Sequence, residues 1–75
     1  MSVRLPSFKA RELVALVKRA GLSETHQDSS HLYLQAADGR TTCVPMHPGD
    51  VKRSLVRKIL FKDCQLTMTQ VQQLL

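Results

Sequence analysis

The stretch Ser29–Pro45, SSHLYLQAADGRTTCVP, constrains this chain more than any other, because it reads as a β-hairpin with a fixed register. Strict alternation starts at His31. Leu32 and Leu34 fall on one side, and His31, Tyr33 and Gln35 on the other. Ala37-Asp38-Gly39 supplies the turn, since glycine enters the left-handed region without a Cβ clash. A three-residue loop closed by a glycine bulge places Ala36 against Arg40. Leu34 then lies opposite Thr42, Leu32 opposite Val44, Tyr33 opposite Cys43 and His31 opposite Pro45. Leu32, Leu34 and Val44 form an inner face, and His31 and Tyr33 point outward. A slip of one residue would turn both leucines to water.

At 75 residues the chain holds one domain, spanning 1–75, with a thin core. With 43% hydrophobic and 23% charged residues it is neither disordered nor collagen-like. No apolar run approaches the ~20 residues that cross a bilayer. The start, MSVRLPSFK, lacks the apolar core of a signal peptide. Cys43 and Cys64 form neither a CxxC nor a disulfide framework, which suits a reducing cytoplasm.

Net charge is +5, carried at the two ends. Arg4, Lys9, Arg11, Lys18 and Arg19 stand against Glu12; Lys52, Arg53, Arg57, Lys58 and Lys62 stand against Asp63. Between them Arg40 faces Glu24, Asp28, Asp38 and Asp50. Two basic segments flanking a mildly acidic hairpin suit a polyanion, above all nucleic acid. Solvated helices also carry such cations for solubility alone, and no segment is a dense basic run.

Pro6 discourages helix before it, leaving residues 1–6 as an arm, and Ser7 is a candidate cap. Ala10, Leu13, Val14, Val17 and Ala20 recur at helical spacing, so residues 8–20 read as an amphipathic helix stopped by Gly21. Leu22–Gln27 reads as a short strand, and Asp28-Ser29-Ser30 as a tight connection. Pro45 ends the third strand, and Met46–Asp50 is a loop. Ser54 is a candidate cap for a helix with Leu55, Val56, Ile59 and Leu60 inside. Thr67 and Gln70 have capping-box spacing for a last short helix burying Val71, Leu74 and Leu75. The expected fold is α+β: α-β-β-β-α, a three-stranded antiparallel sheet with helices on one face, plus a short C-terminal helix.

No phosphate loop, paired-carboxylate constellation or nucleophile elbow is present. Cys43 and His47 sit four apart with Cys64 distant, which does not make the two close pairs of a structural zinc site. Cys43 is expected to fill space beside Tyr33. His26 and His47 fall where an exposed imidazole needs no explanation. His31 is the imidazole placed on an outward strand position, beside Ser30 and in line with Tyr33, where it can exchange a proton near neutral pH.

Ser30-His31, then Asp38-Gly39-Arg40, then Val44-Pro45-Met46-His47, then Leu55-Val56-Arg57-Lys58-Ile59-Leu60 together resemble the HicA family. These are small toxins of bacterial toxin–antitoxin pairs that act as mRNA interferases. The likeness runs over roughly residues 7–75 and includes the helix ending in Gly21-Leu22 and the helix start at Leu66-Thr67. It implies a fold like the double-stranded-RNA-binding domain. It also implies a catalytic histidine in a Gly-Ser-His motif, which maps onto Ser29-Ser30-His31, and a HicB-type antitoxin that masks the active surface. Ser29 stands where the motif has glycine, and Asp28 before it is a carboxylate that would repel phosphate. The loop before the second helix is about a residue short, with Lys52-Arg53-Ser54 where Pro-Gly or Lys-Gly is common. Asp63-Cys64-Gln65 replaces an Ala-Gly turn.

The resemblance implies a metal-independent endoribonuclease with His31 as general acid or base and no cofactor. Lys52, Arg53, Arg57, Lys58, Ser30 and Tyr33 are the candidate RNA-binding residues, with Tyr33 and Lys52 also candidates to assist His31. Two other readings stand beside it: a non-catalytic RNA-binding module of the same fold, and a domain whose basic surface serves an acidic antitoxin-like protein.

Overall fold

The computed structural model describes residues 5–75. Its hairpin has the expected register. Gly39 takes a φ of 98°, its N–H donates to the Ala36 carbonyl, and the Ala36 N–H donates to the Arg40 carbonyl at 2.8 Å. From that closure β2 (His31–Ala36) and β3 (Thr41–Pro45) pair Leu34 with Thr42, Leu32 with Val44, Tyr33 with Cys43 and His31 with Pro45. Leu32, Leu34 and Val44 are buried.

β1 (Leu22–Gln27) adds to the free side of β2, giving an antiparallel sheet of order β1-β2-β3. Leu22 pairs with Ala36 and Glu24 with Leu34, but a bulge then shifts the register so that His26 pairs with Tyr33. Thr25 is the extra residue. Its hydroxyl donates to the Tyr33 carbonyl at 3.3 Å.

α1 (Ala10–Arg19) lays Ala10, Leu13, Val14, Leu16 and Val17 into the core. It begins later than the apolar spacing predicts, and Ser7 does not cap it. Phe8 and Lys9 are extended instead: Lys9 bridges Asp50, and the Val51 N–H donates to the Phe8 carbonyl at 2.8 Å. Phe8 is buried by this pairing, a long-range contact that local periodicity cannot reveal. Of the expected N-terminal arm, residues 1–4, with Arg4, lie outside the described residues; Leu5 is buried.

The second helix also departs from expectation. α2 (Arg53–Arg57) has Lys52, not Ser54, at its cap position, and it runs straight into a π-helical turn at Lys58–Asp63. There the Cys64 N–H reaches back to the Ile59 carbonyl at 2.9 Å. Val56, Ile59 and Leu60 are buried, as their spacing predicts. The wider turn delivers Asp63 to the sheet, where it accepts the hydroxyl of Thr42 at 2.9 Å, the buried polar partner of Leu34. Cys64 is buried, and that burial pushes its thiol up to about 11. Gln65 then turns left-handed, at φ 57°.

α3 (Met68–Leu74) starts on the expected capping box. The Thr67 N–H donates to Gln70 Oε1 at 2.8 Å, and the Gln70 N–H donates to Thr67 Oγ1 at 3.2 Å. Val71 is buried, but Leu75 is not: it is 57% exposed, just past the helix end. The Arg19 guanidinium donates to the Leu74 carbonyl at 3.0 Å, tying α3 to α1. The helices cover the inner face of an open antiparallel sheet, an α+β arrangement like that of double-stranded-RNA-binding domains. The outer face, with His31 and Tyr33, is left for other uses. No helix among the described residues is long and apolar enough to cross a membrane.

Candidate active site

The connection Asp28–Ser30 turns the chain from β1 into β2 with no glycine. The Asp28 N–H donates to the His31 carbonyl at 3.0 Å. Asp28 Oδ1 accepts the N–H groups of Ser30 at 2.9 Å and His31 at 2.8 Å. An aspartate bonding the backbone two and three residues ahead is a standard way to close a tight turn. Those two bonds, ahead of the nearby imidazoles, hold the Asp28 carboxyl below its ordinary value. Gln65 is the one non-glycine residue described with a positive φ, so Ser29 has a backbone any residue can adopt. The serine in place of the motif's glycine costs the turn nothing.

His31 is fixed from two sides. Its Nδ1 lies 2.9 Å from Ser30 Oγ and 3.8 Å from Asp28 Oδ1. Its side chain is 41% exposed, and no hydrogen bond engages Nε2 among the described residues. The Ser30 carbonyl accepts the Met46 N–H at 2.7 Å, which locks the mouth of β2 to the end of β3.

Tyr33, two residues along the same face, has its ring 5.5 Å from His26 and 6.4 Å from His31. Its hydroxyl is 3.5 Å from Asp28 Oδ2, and the Asp28 charge, then Cys43, raises the phenol above its ordinary range. At neutral pH it is therefore a neutral donor. Cys43, opposite Tyr33, is half-buried beside it, as expected.

The helix cations do not converge as one set. Lys52 stands beside His47 in a cleft of about 170 Å³ walled by Pro45, Val51 and Leu55. Lys58 shares a broader groove of about 430 Å³ with Tyr33, Cys43 and Thr41 and pairs with Asp63 at 3.1 Å. The Arg57 guanidinium sits 5.8 Å from the Phe61 ring centroid. The Arg53 guanidinium donates to the Leu5 carbonyl at 2.7 Å, tying down the N-terminal segment. Lys52 and Lys58 thus flank the histidine face, whereas Arg53 is engaged within the fold.

Two histidines that the sequence left unexplained join the site. His47 stands edge-on to His31, ring centroids 6.3 Å apart at 77°. The register contained this signal: His31 opposes Pro45, so a residue two beyond Pro45 returns to the same face. His26 reaches Tyr33 only through the bulge at Thr25, for which the sequence holds no comparable cue. The outer face therefore carries His26, Tyr33, His31 and His47 in succession, with Asp28 behind them. Such a face offers an oriented imidazole, a neutral phenol and flanking ammonium groups. Together they can move a proton at, and neutralise, a phosphate.

The family model described as the HicA toxin of bacterial toxin–antitoxin systems matches residues 10–66. No curated protein matches the chain.

Proposed function

Because the chain belongs to the HicA toxin family, we propose that it is a metal-independent endoribonuclease in which His31 moves the proton at the scissile phosphate. The observation that carries this reading is the anchoring of His31. Ser30 Oγ and the Asp28 carboxylate both address Nδ1, at 2.9 and 3.8 Å, while Nε2 makes no hydrogen bond among the described residues. A third group that orients an acid–base imidazole is the general signature of proton-transfer sites.

RNA brings its own nucleophile, the 2′-hydroxyl beside the phosphate to be cut. The protein then has to position the strand, take or give a proton and offset charge. Lys52 and Lys58 flank the histidine face and hold the backbone, and Arg57 extends that surface, while Arg53 adds only its charge because its guanidinium is bonded to the Leu5 carbonyl. Tyr33 offers a face for base stacking and a neutral hydroxyl donor. Ser30 positions the His31 ring. The partner of this reading is an acidic antitoxin of the HicB type lying over the same face, with mRNA as the substrate.

His31→Ala tests it. Cleavage of a single-stranded RNA is expected to fall by at least ~10²-fold while the fold and RNA binding persist. Cleavage proceeds in EDTA, leaves a 2′,3′-cyclic phosphate or its hydrolysed form, and is blocked by 2′-deoxyribose at the cut site. Full activity in His31→Ala, or cleavage of the deoxy substrate, overturns the reading. Binding without any cleavage by the unmodified chain would mark a non-catalytic RNA-binding module.

A further inference from the structure

We propose that His47 is a second catalytic residue, the general acid that protonates the leaving 5′-oxygen across the scissile phosphate from His31. This rests on the reading of the site as a ribonuclease and adds to it a second, separately testable proton-transfer group.

The geometry comes first. With centroids 6.3 Å apart and planes at 77°, the rings are too distant to hydrogen-bond to each other. They are close enough for each to reach a different oxygen of one phosphate, since a ring N–H spans about 2.8–3.0 Å to its acceptor. An in-line displacement needs that disposition, one group at the attacking oxygen and one at the departing oxygen.

His47 is also held in place. On one side of its loop the Met46 N–H donates to the Ser30 carbonyl at 2.7 Å, immediately behind His31. On the other side Lys9 bridges Asp50, and the Val51 N–H donates to the Phe8 carbonyl at 2.8 Å. Three residues, His47, Pro48 and Gly49, between two such clamps cannot carry His47 far from His31. Its exposed ring makes no hydrogen bond among the described residues, so its nitrogens are available to a ligand.

The surroundings suit an anion. Lys9 and Arg11 line one side of His47, and Lys52 lines the other, against the single carboxylate of Asp50. His31 faces it from the sheet, with Asp28 behind. Three cations near two imidazoles draw the RNA phosphate between the rings.

The division of roles follows from Asp28 and Ser30. Both lie on the Nδ1 side of His31, so we place the ring's proton at Nδ1, beside these oxygens, and assign the base to Nε2. His31 takes the proton of the 2′-hydroxyl as O2′ forms its bond to phosphorus. Protonated His47 delivers its proton to O5′ as the P–O5′ bond breaks. The products are a 2′,3′-cyclic phosphate and a 5′-hydroxyl. One proton has entered His31 and one has left His47, and exchange with water restores both. No electrons change hands.

The test compares two substrates of one sequence, ordinary RNA and RNA with sulfur in place of the bridging 5′-oxygen, whose thiolate leaves without a proton. His47→Ala is expected to lose about 10²–10⁴-fold on ordinary RNA and to recover to near the wild-type rate on the sulfur substrate. His31→Ala remains slow on both. On ordinary RNA the alkaline limb of the kcat/KM profile, present in the wild type, is absent in His47→Ala. Thermal melts of both variants establish that the fold is kept. A wild-type rate in His47→Ala on ordinary RNA overturns the proposal, as does an equal loss on both substrates; either leaves the role of His31 standing. Activity unaffected by His31→Ala, or no cleavage by the wild type, overturns the ribonuclease reading and this proposal with it.

Discussion

Asp28 holds the backbone of His31: its Oδ1 accepts the His31 N–H at 2.8 Å, and the Ser30 N–H at 2.9 Å. The carboxylate that the sequence casts as a repellent to phosphate is also the clasp of the turn that presents the imidazole. Asp28→Lys is therefore expected to lower cleavage, despite the added positive charge, because both clasp bonds are lost. A rise in cleavage would show that the charge matters more than the turn.

The same clasp makes stability pH-dependent. The folded-state pKa of Asp28 lies below its ordinary value of 3.8, chiefly through the two backbone bonds. Its contribution is thus present above that ordinary value and is lost as pH falls through the folded-state value. Asp28→Ala should unfold at lower urea than wild type near neutrality, and the two midpoints should draw together as pH falls through the folded-state value. Asp28→Asn, which keeps an acceptor oxygen, should recover much of the neutral-pH loss. A gap between Asp28→Ala and wild type that is unchanged in acid would separate the stability effect from the carboxylate's charge.

Arg40 fastens the hairpin turn to the helical layer. Its Nε donates to both Asp38 oxygens, at 3.0 and 2.8 Å, its Nη1 to the Cys64 carbonyl at 2.7 Å, and its Nη2 to the Ala20 carbonyl at 3.4 Å. Arg40→Met keeps much of the side chain's length but leaves the Cys64 carbonyl without its donor. A loss of about 1–3 kcal/mol is expected from equilibrium denaturation. An unchanged midpoint would mean that water replaces the guanidinium at no cost.

Gln65 is the position where the fold asks for glycine. At φ 57° its Cβ is strained, and the left-handed region costs a side chain about 1–2 kcal/mol. The greater freedom of glycine in the unfolded chain offsets part of that. Gln65→Gly should therefore raise stability by about 1 kcal/mol, read as a higher denaturation midpoint with an unchanged slope. A lower midpoint would show that contacts of the glutamine side chain outweigh the strain.

RNA affinity should fall steeply from low to physiological salt, as phosphate contacts release counterions. Arg57→Glu should weaken binding to all sequences alike. Lys58→Glu should do so too, and it also breaks the 3.1 Å pair with Asp63, so some stability should go with it. Affinity that ignores salt would assign this surface to a protein partner instead.

Local chemistry made a large part of this protein legible in its sequence. The Gly39 turn and the alternation around it set the register from Ala36–Arg40 to His31–Pro45, because a slip would have exposed Leu32 and Leu34. The Thr67–Gln70 capping box announced α3, and the spacing of Val56, Ile59 and Leu60 announced a buried helical face. His31 was placed on the outer face by the same parity, and the role proposed for it is one that the family resemblance implies.

Contacts between segments distant in sequence decided the rest. Phe8 and Lys9 left the first helix because Asp50 and Val51 offered their backbone a partner. The helix over Arg53–Asp63 widened into a π turn that carries Asp63 to Thr42 and the Cys64 carbonyl to Arg40. The bulge at Thr25 turned His26 toward Tyr33, and the two clamps on the 46–50 loop held His47 beside His31. Periodicity reports which face a residue takes within its own element. It carries no information on which distant backbone group will satisfy a given N–H or carbonyl, and here that pairing decided which side chains gather around His31.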